Sequence, residues 1–509
     1  MDVLILSPPV LPPSEPPAGA FLLAAGLAAR GADAALLDLS LPFFERVFAR
    51  AEDQSPRDDV PRALAYLRSA PDGYDPERHR TATGALHAAC RRFGTDAPGW
   101  TLTLMDLAPP IEVHLPRELA RLLESGLSPF EDLWEEVLAP LLAERKPRAV
   151  LVSLAYLSQL PAAIDLRRFL FRRGVEPVVG GSLPRSLAST GHGLGELEAV
   201  FPRIDLGDGA SFAPGYRGEH LMDDLAWPEL LWPSPYLSCR PVIPLALASG
   251  CFWNKCLFCP DRGTPFARTP LRAIERFAAT IPGDVLARRP VVHLVDSAMP
   301  PAALREALPV LEGAGLPFYG FARPTRELLE GGLVERLARV PCLMLQLGAE
   351  SGSASLLERF HKGFSPGEAE ALVRAVAAAG IRTYLYLLFG LPGENASDRA
   401  ATLAMIERNA SSVDFLNLSV FNLPRQSELV KRAERFGMEL DNVPPEPGRL
   451  HLYRSFTADG VAVRSEARRF IRDTFAHHPG VRPAILRTPR WLRAAHLALM
   501  KVGGRCVTI

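Results

Sequence analysis

The sequence has no excess of either charge. Lys+Arg and Asp+Glu both number 57 in 509 residues, so no basic field exists to hold a nucleic-acid backbone or an anionic surface. It is poor in cysteine. Seven cysteines, three of them clustered, do not make a secreted disulfide framework. No apolar run reaches the roughly 20 residues that cross a bilayer, so no membrane span is expected. The opening Met1-Asp2-Val3-Leu4-Ile5-Leu6-Ser7 lacks a basic n-region and a long apolar stretch, and reads as a first strand rather than a signal peptide. A cytoplasmic, reducing setting is the expectation. No Gly-x-Gly-x-x-Gly follows that strand, which argues against a nicotinamide or flavin dinucleotide. Proline is the residue in surplus, 48 in all, in short groups that read as loop punctuation.

Against these absences, one stretch stands out: Ser249-Gly250-Cys251-Phe252-Trp253-Asn254-Lys255-Cys256-Leu257-Phe258-Cys259-Pro260. Three cysteines spaced C-x4-C-x2-C supply soft thiolates, which suit an iron–sulfur cluster, zinc or copper(I). Three thiolates on one loop hold three corners of a cubane and leave the fourth iron open to a substrate or cosubstrate. Structural zinc is the alternative. It needs a fourth ligand, and the next cysteine upstream is Cys239.

Around this loop the chain alternates strands and helices. Val3–Leu6, a proline-rich loop, a helix over 19–30, Gly31 and the strand Ala34–Leu37 ending at Asp38 form a Rossmann-like opening. A helix over 131–145, the strand Ala149–Leu154, a helix over 160–173 and Pro177-Val178-Val179 continue the same sheet. The glycine turns Gly180-Gly181-Ser182 and Asp205-Leu206-Gly207-Asp208-Gly209 follow. Residues 45–130 read as a helical insertion, and 206–240 as a linker. From 241, strands at Ile243–Leu247, Val291–Asp296, Phe318–Ala322, Leu343–Leu347, Thr383–Phe389 and Phe415–Ser419 alternate with helices. Six such units fit a partial or open parallel barrel, whose active site sits at the C-terminal strand ends. Those ends carry Asp296-Ser297, Arg323, Glu350-Ser351, Gly390-Leu391-Pro392-Gly393-Glu394 and Asn417. A helix capped by Ser465 and a last helix near 491–500 close the chain.

The cysteine loop, Gln346-Leu347-Gly348-Ala349-Glu350-Ser351-Gly352-Ser353 and Phe389-Gly390-Leu391-Pro392-Gly393-Glu394 together resemble the radical S-adenosylmethionine (SAM) superfamily. Ser7-Pro8-Pro9, Asp38, Ser153–Gln159, Val179-Gly180-Gly181-Ser182 and the Asp205–Gly209 turn are similar to its cobalamin-binding branch. The resemblance implies an α/β chain: a Rossmann-like cobalamin-binding domain (1–205, with the insertion), the linker, a partial (β/α)6 radical SAM barrel (241–445) and a helical C-terminal region (446–509).

By that resemblance Cys251, Cys256 and Cys259 hold a 4Fe-4S cluster whose open iron chelates SAM. Electron transfer then gives methionine and a 5′-deoxyadenosyl radical. Asp296 and Ser297 meet the SAM amino group, Glu350 and Ser351 the ribose hydroxyls, and Arg323 the carboxylate. Leu391 and Pro392 flank the adenine, with Phe258 and Asn417 also on the SAM side. Ser7, Ser153, Gly180, Gly181, Ser182 and Gly207 line the cobalamin site. The chain departs from the family in two ways. The commonest spacing is C-x3-C-x2-C, and the extra residue here is expected to bulge the loop at Trp253 or Asn254. Asp-x-His-x-x-Gly is absent, so no protein histidine is expected below the cobalt.

The implied reaction is methylation of an unactivated carbon. Ring rearrangement, cyclisation or oxidation without methyl transfer is the alternative enzyme, and a non-enzymatic cobalamin- or metal-binding regulator the alternative of another class. A methylthiotransferase is disfavoured, because Cys90 is the only cysteine before Cys239 and no second cluster can form there. The partners implied are a small-molecule or peptide substrate and a low-potential electron donor such as a flavodoxin or ferredoxin.

Overall fold

The computed structural model describes residues 1–54, 59–69, 74–232, 235–340, 342–441 and 448–492. Its N-terminal sheet is built on β1 (Val3–Ser7) and β2 (Ala34–Asp38), every residue of which is buried. Uninterrupted apolar runs of this kind are what a parallel strand covered on both faces requires. β1 is the central strand. It pairs with β2 on one side and with β3 (Ala149–Ser153) on the other; β3 in turn pairs with β4 (Val178–Gly180).

The expected linker is partly strand. β5 (Glu229–Leu230) adds to the free edge of β2, giving the order β4-β3-β1-β2-β5. Pro, Gly and Trp around it mask so short a pairing in the sequence. The helix after β1 spans Ala18–Ala29. The insertion forms helices Ser40–Gln54, Val60–Arg68, Pro76–Asp96 and Pro116–Glu124, with a two-residue hairpin between the last two.

The second sheet runs in chain order: β6 (Val242–Leu245), β7 (Val291–Leu294), β8 (Phe318–Ala322), β9 (Cys342–Glu350), β10 (Arg382–Phe389) and β11 (Phe415–Val420), all parallel. Among the described residues β6 and β11 do not pair, so the barrel is open. Alternate residues face inward: Val291, Tyr319, Met344, Tyr384 and Phe415 share an interior cluster, whereas Val292, Leu294, Phe318 and Leu385 pack on the outer helices.

The C-terminal region is not purely helical. Leu423–Pro424 pairs with Tyr453–Arg454 and Met438–Leu440 with Phe456–Ala458. The helix expected to start at Ser465 spans Val463–Asp473, so Ser465 lies inside its first turn rather than at the cap. The expected last helix over 491–500 falls almost wholly outside the described residues.

The two sheets are not separate bodies. One apolar core contains Val3, Ile5 and Phe21 together with Ile243, Leu245 and Phe277. Phe21 meets Trp227 and Phe277 edge to face, with centroids 5.7 and 6.1 Å away. This packing sets the C-terminal edge of the first sheet against the mouth of the barrel.

Candidate functional site

The cysteine loop leaves β6 through Ala248–Ser249, which pairs antiparallel with Ala267–Arg268. Gly250 closes the loop. Its φ is +71°, and a Cβ there would lie 2.5 Å from the Pro265 carbonyl oxygen. The extra residue of the first gap is accommodated at Asn254, whose φ is +48°. Asn254 Oδ1 accepts from Gly263 N at 2.7 Å and its Nδ2 donates to Thr264 O at 3.2 Å. The side chain thus locks the bulge it creates. Trp253 wedges the loop against the barrel. Its Nε1 donates to His361 O at 2.8 Å, the Arg323 guanidinium lies over its ring at 3.7 Å, and Gly363 leaves room for the indole.

All three cysteines are free and partly buried. Burial pushes the Cys259 thiol up to about 12, with Asp261, Cys256 and Cys251 adding to the rise. Cys256 is raised chiefly by burial, with Lys362 and Arg323 opposing. Thiols in this setting keep their protons until a metal displaces them. Among the described residues no three His, Cys, Asp or Glu side chains are grouped to hold a single metal ion. Thiolates are the ligands that iron–sulfur clusters and structural zinc share.

Behind the loop sits a buried ion pair that sequence reasoning missed. Lys362 Nζ lies 3.0 Å from Glu350 Oε1, with the side chains 7 % and 14 % exposed. Glu350 ends β9 with φ +63°, beyond a register shift against β10. Burial works against the Lys362 charge, but Glu350 and Cys256 lift its pKa above the usual range. Its ammonium also stands 5.5 Å from the ring centroids of Phe258 and Phe364. Nothing in His361-Lys362-Gly363 marks a site. Only the fold brings this lysine to the cluster loop.

The expected SAM residues divide. Arg323 is buried beside the loop, and among the described residues its Nε and Nη2 have no hydrogen-bond partner. Ser297 donates to Asp261 at 2.8 Å, two residues past Cys259. Leu391 and Phe258 share an apolar cluster with Leu257, and Pro392 is buried beside Leu391. Asn417 Nδ2 donates to Ser419 at 3.1 Å on the inner face of β11.

Two of the expected residues are hydrogen-bonded within the protein. Asp296 is 5 % exposed, and its carboxylate accepts from Leu247 N at 3.1 and 3.0 Å and from Ala248 N at 2.8 Å. It anchors the start of the cysteine loop. Burial pushes its pKa up to about 6, against those same bonds. Ser351 is 1 % exposed and bonds Thr402 Oγ1 at 3.0 Å and Ser353 N at 3.1 Å, so it fastens the helix Ala396–Arg408.

Between the sheets lies a cavity of about 690 Å³. Ser7, Ser153, Gly180, Gly181, Ser182 and Gly207, expected from the sequence, all line it. So do Ser249, Gly250 and Ser297, which carry it to the threshold of Cys251. Gly181 has φ +112°, and a Cβ there would stand 2.5 Å from Leu154 O. The turn is therefore closed to any other residue, leaving bare backbone toward the cavity. Glu15 and His293 also line it; neither was singled out in the sequence, because the residues flanking each give no motif.

No protein-family model matches the chain, and no curated protein sequence matches it. Among solved structures it is similar to the radical SAM methyltransferase TsrM from Kitasatospora setae, with cobalamin and a [4Fe-4S] cluster bound. The identity is 15%, covering 93% of this chain and 86% of that one, with a TM-score of 0.51. It is also similar to the cobalamin-dependent SAM radical enzyme OxsB with aqua-cobalamin and SAM bound, at 11% identity and a TM-score of 0.54. That match covers 92% of this chain, which spans 65% of the length of OxsB. At such identity these likenesses show a common fold: the chain has the α/β architecture seen in cobalamin-dependent radical SAM enzymes.

Proposed function

From that common fold as premise, we propose that this protein is a cobalamin-dependent radical SAM enzyme, and that its reaction is methylation of an unactivated carbon of a small molecule. The observation that carries the reading is the single cavity joining the glycine edge of the first sheet to the start of the cysteine loop. When bound, a 4Fe-4S cluster supplies the electron that cleaves SAM to a 5′-deoxyadenosyl radical, and cobalamin supplies a methyl group.

The residues of this chain do the rest. Cys251, Cys256 and Cys259 would hold the cluster. Arg323, with two unpartnered N–H groups, suits the SAM carboxylate. Glu350 keeps an oxygen beyond its bond to Lys362 and suits a ribose hydroxyl. Gly180, Gly181, Ser182 and Gly207 would lie along the corrinoid. The apolar cluster of Leu257, Phe258 and Leu391 keeps water from the reacting centre. A low-potential donor such as a flavodoxin or ferredoxin would reduce the cluster.

Anaerobic reconstitution with iron, sulfide and aquacobalamin tests this. Cluster absorbance lost in Cys256→Ala, SAM-dependent 5′-deoxyadenosine, and label from methyl-labelled SAM in the product are expected. Unlabelled product together with 5′-deoxyadenosine would replace methylation by rearrangement or oxidation. A protein that takes up only zinc and forms no 5′-deoxyadenosine would remove the enzyme reading altogether.

A further inference from the structure

Among the polar groups of the chamber that the reading above leaves without a task are Glu15 and His293. Glu15, at the end of the proline-rich loop after β1, reaches across to the barrel. Its Oε2 lies 2.9 Å from His293 Nδ1 on β7 and accepts from the Tyr319 hydroxyl on β8 at 3.0 Å. The imidazole is stacked on the Tyr319 ring, with centroids 4.3 Å apart and planes 16° apart. Three elements thus hold one histidine in place. Burial opposes the Glu15 charge, yet His293 and Tyr319 bring its pKa below the ordinary carboxylate range.

An ionised carboxylate on Nδ1 selects the tautomer that carries its proton there, and leaves the lone pair on Nε2. Among the described residues Nε2 has no hydrogen-bond partner, and His293 lines the cavity. A staple between the two halves of the molecule would need the Glu15 contact but not an open ring nitrogen. A carboxylate that orients an imidazole with its other nitrogen toward a ligand is the arrangement of a proton acceptor.

We propose that His293, oriented by Glu15, accepts a proton from a hydroxyl or amine of the ligand held on the barrel side of the corrinoid, so that the substrate is a small molecule with an O–H or N–H beside the carbon that reacts. This rests on the cobalamin reading above. In the step the O–H or N–H bond breaks, its electron pair stays on oxygen or nitrogen, and the proton goes to Nε2. No electron is transferred, and Glu15 offsets the imidazolium charge. The other groups that face this pair are Tyr319 on the ring face, Tyr236 beside Glu15 and bonded to Asp38, Asp296 further along the same strand end, and Tyr386 beside Tyr319.

The water of aquacobalamin is the simplest O–H donor that can be placed in the chamber. The full-length protein, His293→Phe and Glu15→Gln are each loaded with aquacobalamin, and ionisation of the axial water is followed by absorbance against pH. A neutral acceptor favours bound water over hydroxide. The parent should therefore ionise at higher pH than His293→Phe, by roughly fivefold in the ionisation constant, with Glu15→Gln between. Identical titrations in all three loaded proteins would overturn the proposal. If His293→Phe does not fold, parent against Glu15→Gln decides by the same criterion. A parent that binds no aquacobalamin overturns the cobalamin reading instead. A purely structural staple would alter urea unfolding in both variants and leave the axial-water ionisation unmoved.

Discussion

At the level of single residues, the site is held by charged side chains whose partners also lie inside the protein. Removing Lys362 leaves the Glu350 side chain without its ion-pair partner in a low-dielectric setting, and breaking such a pair from one side costs about 3–5 kcal/mol. Lys362→Ala is expected to lose stability on that order in urea unfolding, and adding Glu350→Gln should restore most of it. Glu394 behaves differently. Its Oε2 accepts from Gly390 N at 2.6 Å, its Oε1 has no hydrogen-bond partner among the described residues, and burial pushes its pKa up to about 7 from 4.5. The folded state thus binds this proton more tightly than the unfolded chain does. Stability from this group is full below the unfolded value and is lost as pH rises through about 7. Glu394→Gln keeps the acceptor without the charge. It should flatten the pH dependence over that window and exceed the parent by about 1–3 kcal/mol at pH 8.

At the level of elements, loops are shaped by what stands opposite them. Gly363, with φ +67°, is the floor under Trp253. A methyl group there would push the indole away and swing the cysteine loop. Gly363→Ala is expected to reduce iron incorporated on reconstitution several-fold, while far-UV circular dichroism stays unchanged. Gly181→Ala meets the Leu154 backbone at 2.5 Å, in a conformation that side chains rarely adopt. Strain of this kind costs on the order of 1–3 kcal/mol. The variant should lose aquacobalamin binding, read by absorbance after gel filtration, before it loses cluster loading.

At the level of the whole molecule, the linker does not separate two independent units. Phe21, Trp227 and Phe277 interlock across it, and Arg30 donates to the Gly26, Leu221 and Asp224 carbonyls. Residues 241–441 expressed alone would expose Ile243, Leu245 and Phe277, each 1–2% exposed in the full chain. That fragment is expected to aggregate, because Phe277 would lose the Phe21 and Trp227 rings that pack on it and the apolar face beside it would meet water. In the intact protein, urea unfolding of the two halves should coincide when followed by tryptophan fluorescence and circular dichroism.

Much of this was legible from local pattern alone. The C-x4-C-x2-C loop, a bulge at Trp253 or Asn254, the six strand–helix units and the glycine edge of the first sheet all depend on residues near one another in the chain, so composition and period reveal them. What only the folded chain decided are the partners. Asp296 resembled a ligand because it ends a strand, but it bonds backbone 48 and 49 residues away. Ser351 bonds Thr402 across 51 residues, Lys362 reaches back 12 to Glu350, and Glu15 meets His293 across 278. A polar side chain at a strand end turns to a ligand or to its own scaffold according to which donors packing brings within about 3 Å, and such distances are set by tertiary contacts that no local sequence pattern encodes.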